Sequence, residues 1–596
     1  MPSAENRICQ NCKASFTIDA SDFQFYEKMK VPPPTFCWLC RAQRRMAWRN
    51  ERSLFKRKSD FSGKEIFSAF APDAPVKVYE NEVWITDQWD PMQYGRDYDF
   101  SRNFFEQFRD LLHIVPSKNR NVVNGGPGTD YCNNFTDPKN CYLIFNGKDA
   151  EDCMYGNGYN LVKSSIDASH LSKCERCYEG FWLTSCANTF FSSQCESSFD
   201  LIFCRDCTGC NNCFGCVGLR KKSYCIFNEQ YTKEQYEQRI KEFNLGSYSA
   251  LEQMRKRVAE FWLKFPLRFM IGSHNEGVSG NYIEHSKNTH KSFLARECEN
   301  VKFAQYLQEL PGSREVYDYT AWGDANELAY ECTGCGIGTH NIKFCYNVQQ
   351  DTKNVEYSYM CNGCSDVFGC IGLKKKQYCV LNKQYTKEEY EALVTKIRSH
   401  MYDAPYTDVK GRIYKYGEYF PVELSPFAYN ESIAQEFFPL DKNEAIAAGY
   451  TWRDPVERTY IPTRNAIDLP DSIATVSDSI TNEIIGCAHE GKCNDQCTIA
   501  FRIIPDELAF YRANNIPLPR ICPSCRHYRR ISQRSKLHVY DRHCDCAGAS
   551  SKNNVYKNSA SHTHGASPCP NEFETSYGPD GSEIIYCEQC YQAEVA

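Results

Sequence analysis

Written nine residues to a line, positions 177–221 read CYEGFWLTS, CANTFFSSQ, CESSFDLIF, CRDCTGCNN and CFGCVGLRK. Cysteine takes the first place in every line, and Phe181, Phe190 and Phe199 take the fifth. Asn, Gly, Ser and Asp between them supply turns. Cys132 and Cys141 begin the rhythm upstream. Cys207, Cys216 and Cys225 run beside it, and Cys361, Cys370 and Cys379 resume it. A fixed short period means one unit stacked on its copies, which predicts a parallel β-solenoid with ladders of like residues. Nine residues fit a strand and a turn, so two units predict a flattened coil and three a triangular one. Cysteine suits the interior as a small hydrophobe.

The pattern is duplicated. CFGCVGLRKKSYCIFNEQYTKEQYEQRI, from Cys213, returns as VFGCIGLKKKQYCVLNKQYTKEEYEALV, from Val367. Each copy ends in Thr-Lys-Glu, which predicts a helix capped by Thr232 or Thr386 with acidic residues in its first turn. Such helices would close the open end of each stack. A longer helix over 249–265 would link the copies.

With 596 residues the chain is too long for one core. No apolar run reaches membrane-spanning length, and the start MPSAENRICQ lacks the apolar core of a signal peptide. The expected compartment is the cytoplasm, where the 35 cysteines would be metal ligands or buried thiols rather than disulfides. A net charge of −6 gives the whole protein no reason to bind nucleic acid; local patches would have to do so.

The cysteines at the two ends have a different spacing. Cys9-x2-Cys12 and Cys37-x2-Cys40 bracket one short segment, and four thiolates close a tetrahedral structural zinc site. Cys497 to Cys522 spans the same distance as Cys12 to Cys37. Phe25, Tyr26, Pro32 and Pro34 match Phe510, Tyr511, Pro517 and Pro519. This predicts a second site on Cys493, Cys497, Cys522 and Cys525, with Cys487 and His489 as substitute ligands. Asp22 and Glu507 open a short helix between the knuckles. Further on, Lys64-Glu65-Ile66 matches Asn571-Glu572-Phe573 and Tyr79 matches Tyr586. A third, ribbon-type site would use Cys544 or Cys546 with Cys569, Cys587 and Cys590, and His562 and His564 as further candidates. Glu80 and Val83 stand where Cys587 and Cys590 would be, so the N-terminal ribbon has lost its metal.

The motifs CQNC…FCWLCRAQRR, KNCYLIFNG, RDYDFSRNFFEQF, GEYFPVELSPFAYNES and IIYCEQCYQAEV resemble a zinc-ribbon family of uncultured, small-genome candidate-phylum bacteria. The resemblance extends over nearly the whole chain. It implies zinc and a shared architecture, and nothing about substrate. The chain departs from that family's ribbon, because a Ser/Asn/His-rich insertion separates Cys544-x-Cys546 from Cys569.

Arginines follow each second knuckle. A helix there would align Arg41, Arg45, Arg49 and Arg52, with Arg44 beside them; the C-terminal copy supplies Arg526, Arg529, Arg530 and Arg534. Such a face suits a phosphate backbone, with Trp48 and Phe55 available for stacking. The bland alternative is a helix face that is solvated or paired with protein acids.

Cys204, Cys207, Cys210, Cys213 and Cys216 form an unbroken CxxC run. Iron–sulfur ligands have similar spacing, usually with a proline after the last. No proline follows, and Val367 replaces Cys213 in the second copy, which favours stacked reduced thiols. Phosphate loop, nucleophile elbow, HExxH and dinucleotide fingerprint are all missing from the sequence.

The fold class this predicts is mainly β: two cysteine-rich parallel β-solenoid blocks with capping helices, flanked by treble-clef or zinc-ribbon modules. The divisions are a knuckle module with a basic helix (1–60), a degenerate ribbon and connector (61–130) and the first solenoid (131–231). Capping and linking helices (232–283) lead to the second solenoid (284–385), then a capping helix and extended linker (386–485). A second knuckle module (486–540) and a ribbon (541–596) end the chain. The expected function is a non-enzymatic scaffold or adaptor with two or three structural zinc ions, no membrane, and nucleic acid or a ribonucleoprotein as partner. A protein-interaction scaffold, a thiol or iron–sulfur redox enzyme and a polymer-acting solenoid are the alternatives.

Overall fold

A computed structural model describes residues 3–308, 310–454 and 461–595. Two parallel sheets dominate it. The first runs from Val122–Val123 to Glu229–Gln230 and the second from Gly272–Ser273 to Lys383–Gln384, so each opens before the point the cysteines mark.

The coil is neither flattened nor triangular. Asn157 pairs with Ser169, Ser169 with Phe181, Phe199 with Asn211 and Asn211 with Ser223, a step of twelve residues each time. Left-handed backbone recurs at every third residue. Asn134, Asp137, Asn140, Leu143, Asn146, Asp149 and Asp152 all have φ between 49° and 58°. Each such residue turns the chain, so twelve residues make four sides of three. Asn and Asp accept this conformation readily, whereas Leu143 and Trp182 are held in it by their place in the stack.

Every third residue also faces inward. Cys174, Cys177, Gly180, Leu183, Cys186, Thr189, Ser192 and Cys195 are all buried. Cys204, Cys207, Cys210 and Cys213 therefore supply all four sides of one coil, and none is exposed. Nine residues are three sides, so a cysteine nine positions on is interior again, one side short of a full coil. The thiols are spent on backbone. Cys186 Sγ lies 3.3 Å from Thr184 O and 3.4 Å from Cys195 O, two acceptors for its one proton; Cys204 Sγ donates to Cys213 O at 3.4 Å. The second stack has coils of thirteen between Arg314 and Lys353 and of twelve from there to its end.

An antiparallel strand ends each stack, Glu229–Gln230 and Lys383–Gln384. Helices Lys233–Glu242 and Lys387–Asp403 follow. Thr232 and Thr386 cap them, as the sequence predicts, and Gln235 and Glu389 complete capping boxes. Tyr236 packs on Tyr224 and Tyr390 on Tyr378, covering the last parallel strand of each stack. The linking helix spans Tyr248–Trp262. The stacks touch through Trp182 and Tyr282, whose rings are 4.4 Å apart. Among the described residues no helix is long and apolar enough to cross a membrane.

Candidate metal centres and the helices behind them

Each end of the chain builds its thiol sets on one plan. A β-hairpin carries the first two thiols, and the N-terminus of a helix carries the last two. In the first module, strands Glu5–Ile8 and Ser15–Ile18 hold Cys9 and Cys12, and Cys37 caps helix Trp38–Met46. In the second, Cys522 caps helix Pro523–Ile531. In the third, helix Glu588–Val595 follows Cys587. The C-terminal site thus opens a helix, where an all-β ribbon would not.

Three sets of four thiols converge: Cys9, Cys12, Cys37, Cys40; Cys487, Cys497, Cys522, Cys525; and Cys544, Cys569, Cys587, Cys590, with sulfurs within 4.8 Å of one another in each. A tetrahedral ion with bonds of about 2.3 Å to sulfur sets its ligands about 3.8 Å apart. Observed separations fit: Cys12–Cys37 3.7 Å, Cys487–Cys525 3.9 Å, Cys497–Cys522 4.0 Å and Cys569–Cys587 3.9 Å. One backbone bond recurs. The N–H of Cys37, Cys522 and Cys587 donates to the sulfur of Cys9, Cys487 and Cys544 at 3.2, 3.3 and 3.2 Å. That bond makes Cys487 the counterpart of Cys9.

Cys493 was expected in that place and stands beside the set instead. Its sulfur lies 3.7 Å from Cys525, in a second group with His489 and Asp495. The reason is an insertion: residues 488–496 lengthen the first knuckle, so its opening thiol precedes the CxxxC that the sequence displays. Cys546 is displaced likewise. It joins His562, His564 and Cys590, while Cys544 completes the four-thiol set.

The thiols frustrate one another electrostatically. Hydrogen bonds from Cys37 and Cys40 drive the Cys9 thiol far below its usual range, while contacts with Cys37 and Cys9 push Cys40 far above it. Cys587 is held down at about 4 by its contact with Cys544. A central cation lets all four thiols of a set deprotonate together.

The fourth module-like element has no thiols. Strands Phe55–Lys58 and Glu65–Ser68 match Tyr540–His543 and Glu572–Thr575, which puts Ser59, Ser62, Glu80 and Val83 at the four thiol positions. Ser59 donates a short hydrogen bond to Glu80 there.

The arginines do not form an open phosphate-binding face. Arg41, Arg44, Arg45, Arg49, Arg526 and Arg530 are at most 4% exposed. Arg41 and Arg45 meet Asp318 at 2.8 and 3.2 Å, and Arg44 meets Glu331 at 2.7 Å and Glu418 at 2.9 Å. The C-terminal copy repeats this. Arg526 and Arg530 meet Asp167 at 3.2 and 2.9 Å, and Arg529 pairs with Glu179. Arg49 is paired with Glu51, and Arg52 and Arg534 with Glu436. Asp167 and Glu179 stack one coil apart at a corner of the first solenoid, as Asp318 and Glu331 do in the second. The knuckle helices are therefore docked on the solenoids, and the pairing is crossed: the N-terminal module holds the second stack, the C-terminal module the first. The sequence reading missed these four acids. The only signal for them is an acidic residue at the same corner of successive coils.

Among the described residues, the groups able to hold an ion are confined to the two ends. The CxxC run of the solenoid contributes none. Among the described residues, the cleft between the stacks is lined by Trp182, Trp322 and one carboxylate, Glu284, which lies 3.8 Å from Arg296. Glycan-cleaving sites use a pair of carboxylates.

No protein-family profile matches the chain, and no curated protein does. Nine solved chains match, among them a candidate acetyltransferase from Desulfovibrio desulfuricans G20, at 10% identity over 43% of this chain and 67% of that one. Its TM-score is 0.10, and a likeness that low carries no argument.

Proposed function

We propose that this protein is a non-enzymatic scaffold in which zinc-stapled modules clamp two β-solenoids into one rigid body. The observation that carries this reading is the crossed docking of Arg41, Arg44 and Arg45 on Asp318 and Glu331, and of Arg526, Arg529 and Arg530 on Asp167 and Glu179. Zinc suits the all-thiol sets, and four thiolates leave no open position for a catalytic water. The zinc role is thus to fix each knuckle helix so that its arginines reach the stack. The partner this surface favours is another protein. The arginines suited to phosphate are consumed internally, and the net charge of −6 repels polyanions. Chelation tests the clamp. Stripping metal from the full chain should lower its melting temperature and open both knuckle modules to protease while the solenoids persist. A metal-free chain with unchanged melting and protease resistance would rule the clamp out.

A further inference from the structure

The insertion between Cys544 and Cys569 folds back over the third thiol set and brings a second donor group against it. We propose that the C-terminal module is a dinuclear metal centre. One ion sits on Cys544, Cys569, Cys587 and Cys590, a second on Cys546, His562 and His564, and the Cys590 thiolate bridges them. The inference rests on the reading of the four-thiol set as a metal site, because Cys590 is common to both.

The donor atoms of Cys546, His562, His564 and Cys590 lie within 4.8 Å of one another. Cys546 and Cys590 are at most 2% exposed and His562 is 8% exposed. His564 Nε2 is 3.3 Å from Cys590 Sγ.

The surroundings of the two histidines are those of metal ligands. A ligating imidazole commits its other nitrogen to a carboxylate or carbonyl, which fixes tautomer and orientation. His562 Nε2 meets Glu594 Oε1 at 2.8 Å, with neither side chain more than 1% exposed. His564 Nδ1 meets Ser567 O at 2.6 Å. Among the described residues, each histidine thus keeps one ring nitrogen free of a hydrogen bond to oxygen. Glu594 is itself locked, accepting from Tyr556 Oη at 2.9 Å, from Ser559 N and Oγ at 2.8 Å and from Ala560 N at 3.3 Å. Cys546 Sγ accepts from Asn558 Nδ2 at 3.2 Å. This network ties the insertion to helix Glu588–Val595 and holds the two histidines beside Cys590.

Charge is consistent with sharing. Five thiolates around two divalent ions leave a single excess negative charge, less than one isolated four-thiolate ion carries. The group beside Cys525 differs. His489 and Asp495 face each other at 3.7 Å, are more than a quarter exposed, and have no outer partner of this kind. It stays outside the proposal.

The test is cobalt loading of the full-length chain. Two high-spin cobalt ions joined by a thiolate couple magnetically, so the EPR intensity of the wild type should stop rising, or fall, as the last equivalent binds. The double variant His562→Ala, His564→Ala should hold one ion fewer than wild type by elemental analysis and show intensity proportional to bound cobalt. Wild-type intensity that climbs in proportion to cobalt up to saturation overturns the shared centre, and so does unchanged metal content in the double variant. Cys544→Ser separates the two readings. If it loses an ion while the histidine variant loses none, the dinuclear centre fails and the four-thiol site stands.

Discussion

The Arg530 guanidinium donates to an Asp167 carboxylate oxygen at 2.9 Å, with both side chains at most 2% exposed. The two belong to different bodies, a knuckle helix and a solenoid corner. Arg526 shares the same carboxylate and also meets Glu507 at 3.0 Å, so two buried acids balance two buried guanidinium groups.

Asp167→Asn should therefore be severely destabilising. Asparagine accepts the left-handed backbone of this corner (φ 52°), so the change removes charge and little else. Breaking a buried pair by removing one partner costs about 3–5 kcal/mol. Thermal melting of the full chain is the measurement, with Asp318→Asn as the equivalent on the second stack. Melting curves that overlay the wild type would refute the clamp role of these acids.

Charge reversal at Arg44, Arg45, Arg529 and Arg530 should damage folding and leave no phosphate-binding phenotype to lose. The wild type should leave heparin at low salt, because its arginines are already paired. Strong retention that falls steeply with salt would return phosphate contact to consideration.

The solenoid thiols should be inert because reagents do not reach them: Cys204, Cys207, Cys210, Cys361 and Cys370 are fully buried. Burial also pushes Cys204, Cys361 and Cys370 well above the ordinary thiol range, whereas contacts with Cys195, Cys204 and Cys210 pull Cys207 below it. Only thiolates react readily with alkylating agents. Brief alkylation of native, metal-stripped protein should label Cys12, Cys493 and Cys497, which are exposed or partly so, before any cysteine of the stacks. Mass spectrometry of the labelled peptides gives the order, and early labelling at Cys207 or Cys210 contradicts it.

Acid should weaken the fold in two stages. His170, buried against Phe181, Trp182 and Tyr306, is held at about 3, chiefly by burial and then by the Arg534 charge. The unfolded chain takes up a proton near pH 6.5 that the native site refuses, so this contribution is complete above 6.5 and drains away as pH falls toward 3. Glu179 follows lower down. Burial alone would raise it, but Arg255, Arg529 and Arg530 outweigh that and hold it at about 2, so its stabilisation is lost between 4.5 and 2. His170→Asn should remove about 2 kcal/mol of the stability difference between pH 7 and pH 5. Parallel melting-versus-pH curves for wild type and variant would show that His170 takes no part.

How far the sequence can be read depends on how far apart the informative residues lie. Cys37 and Cys40 declare a knuckle because both ligands fall within one helical turn. Cys487 does not, since an insertion hides its partner Cys497 behind the nearer Cys493. The solenoid was legible as a repeat but its coil was not. Cys177, Cys186 and Cys195 mark three sides of a four-sided coil, and the underlying triplet shows only when Gly180, Leu183, Thr189 and Ser192 are read as interior with them. The fate of Arg41 and Arg526 could not be read locally, because Asp318 and Asp167 lie hundreds of residues away and carry no motif.

Crossed clamping also sets an order of events on the ribosome. The N-terminal knuckle is synthesised first, yet its acids, Asp318 and Glu331, emerge only after the whole first stack. At elongation rates of about 5–20 residues per second that delay is roughly tens of seconds. Meanwhile three like-charged guanidinium groups wait unpaired on one short helix, and Asp167 and Glu179 wait for a helix not yet made. Neither stack can be locked early, and the knuckle that closes the first stack is made only after the second stack has been built.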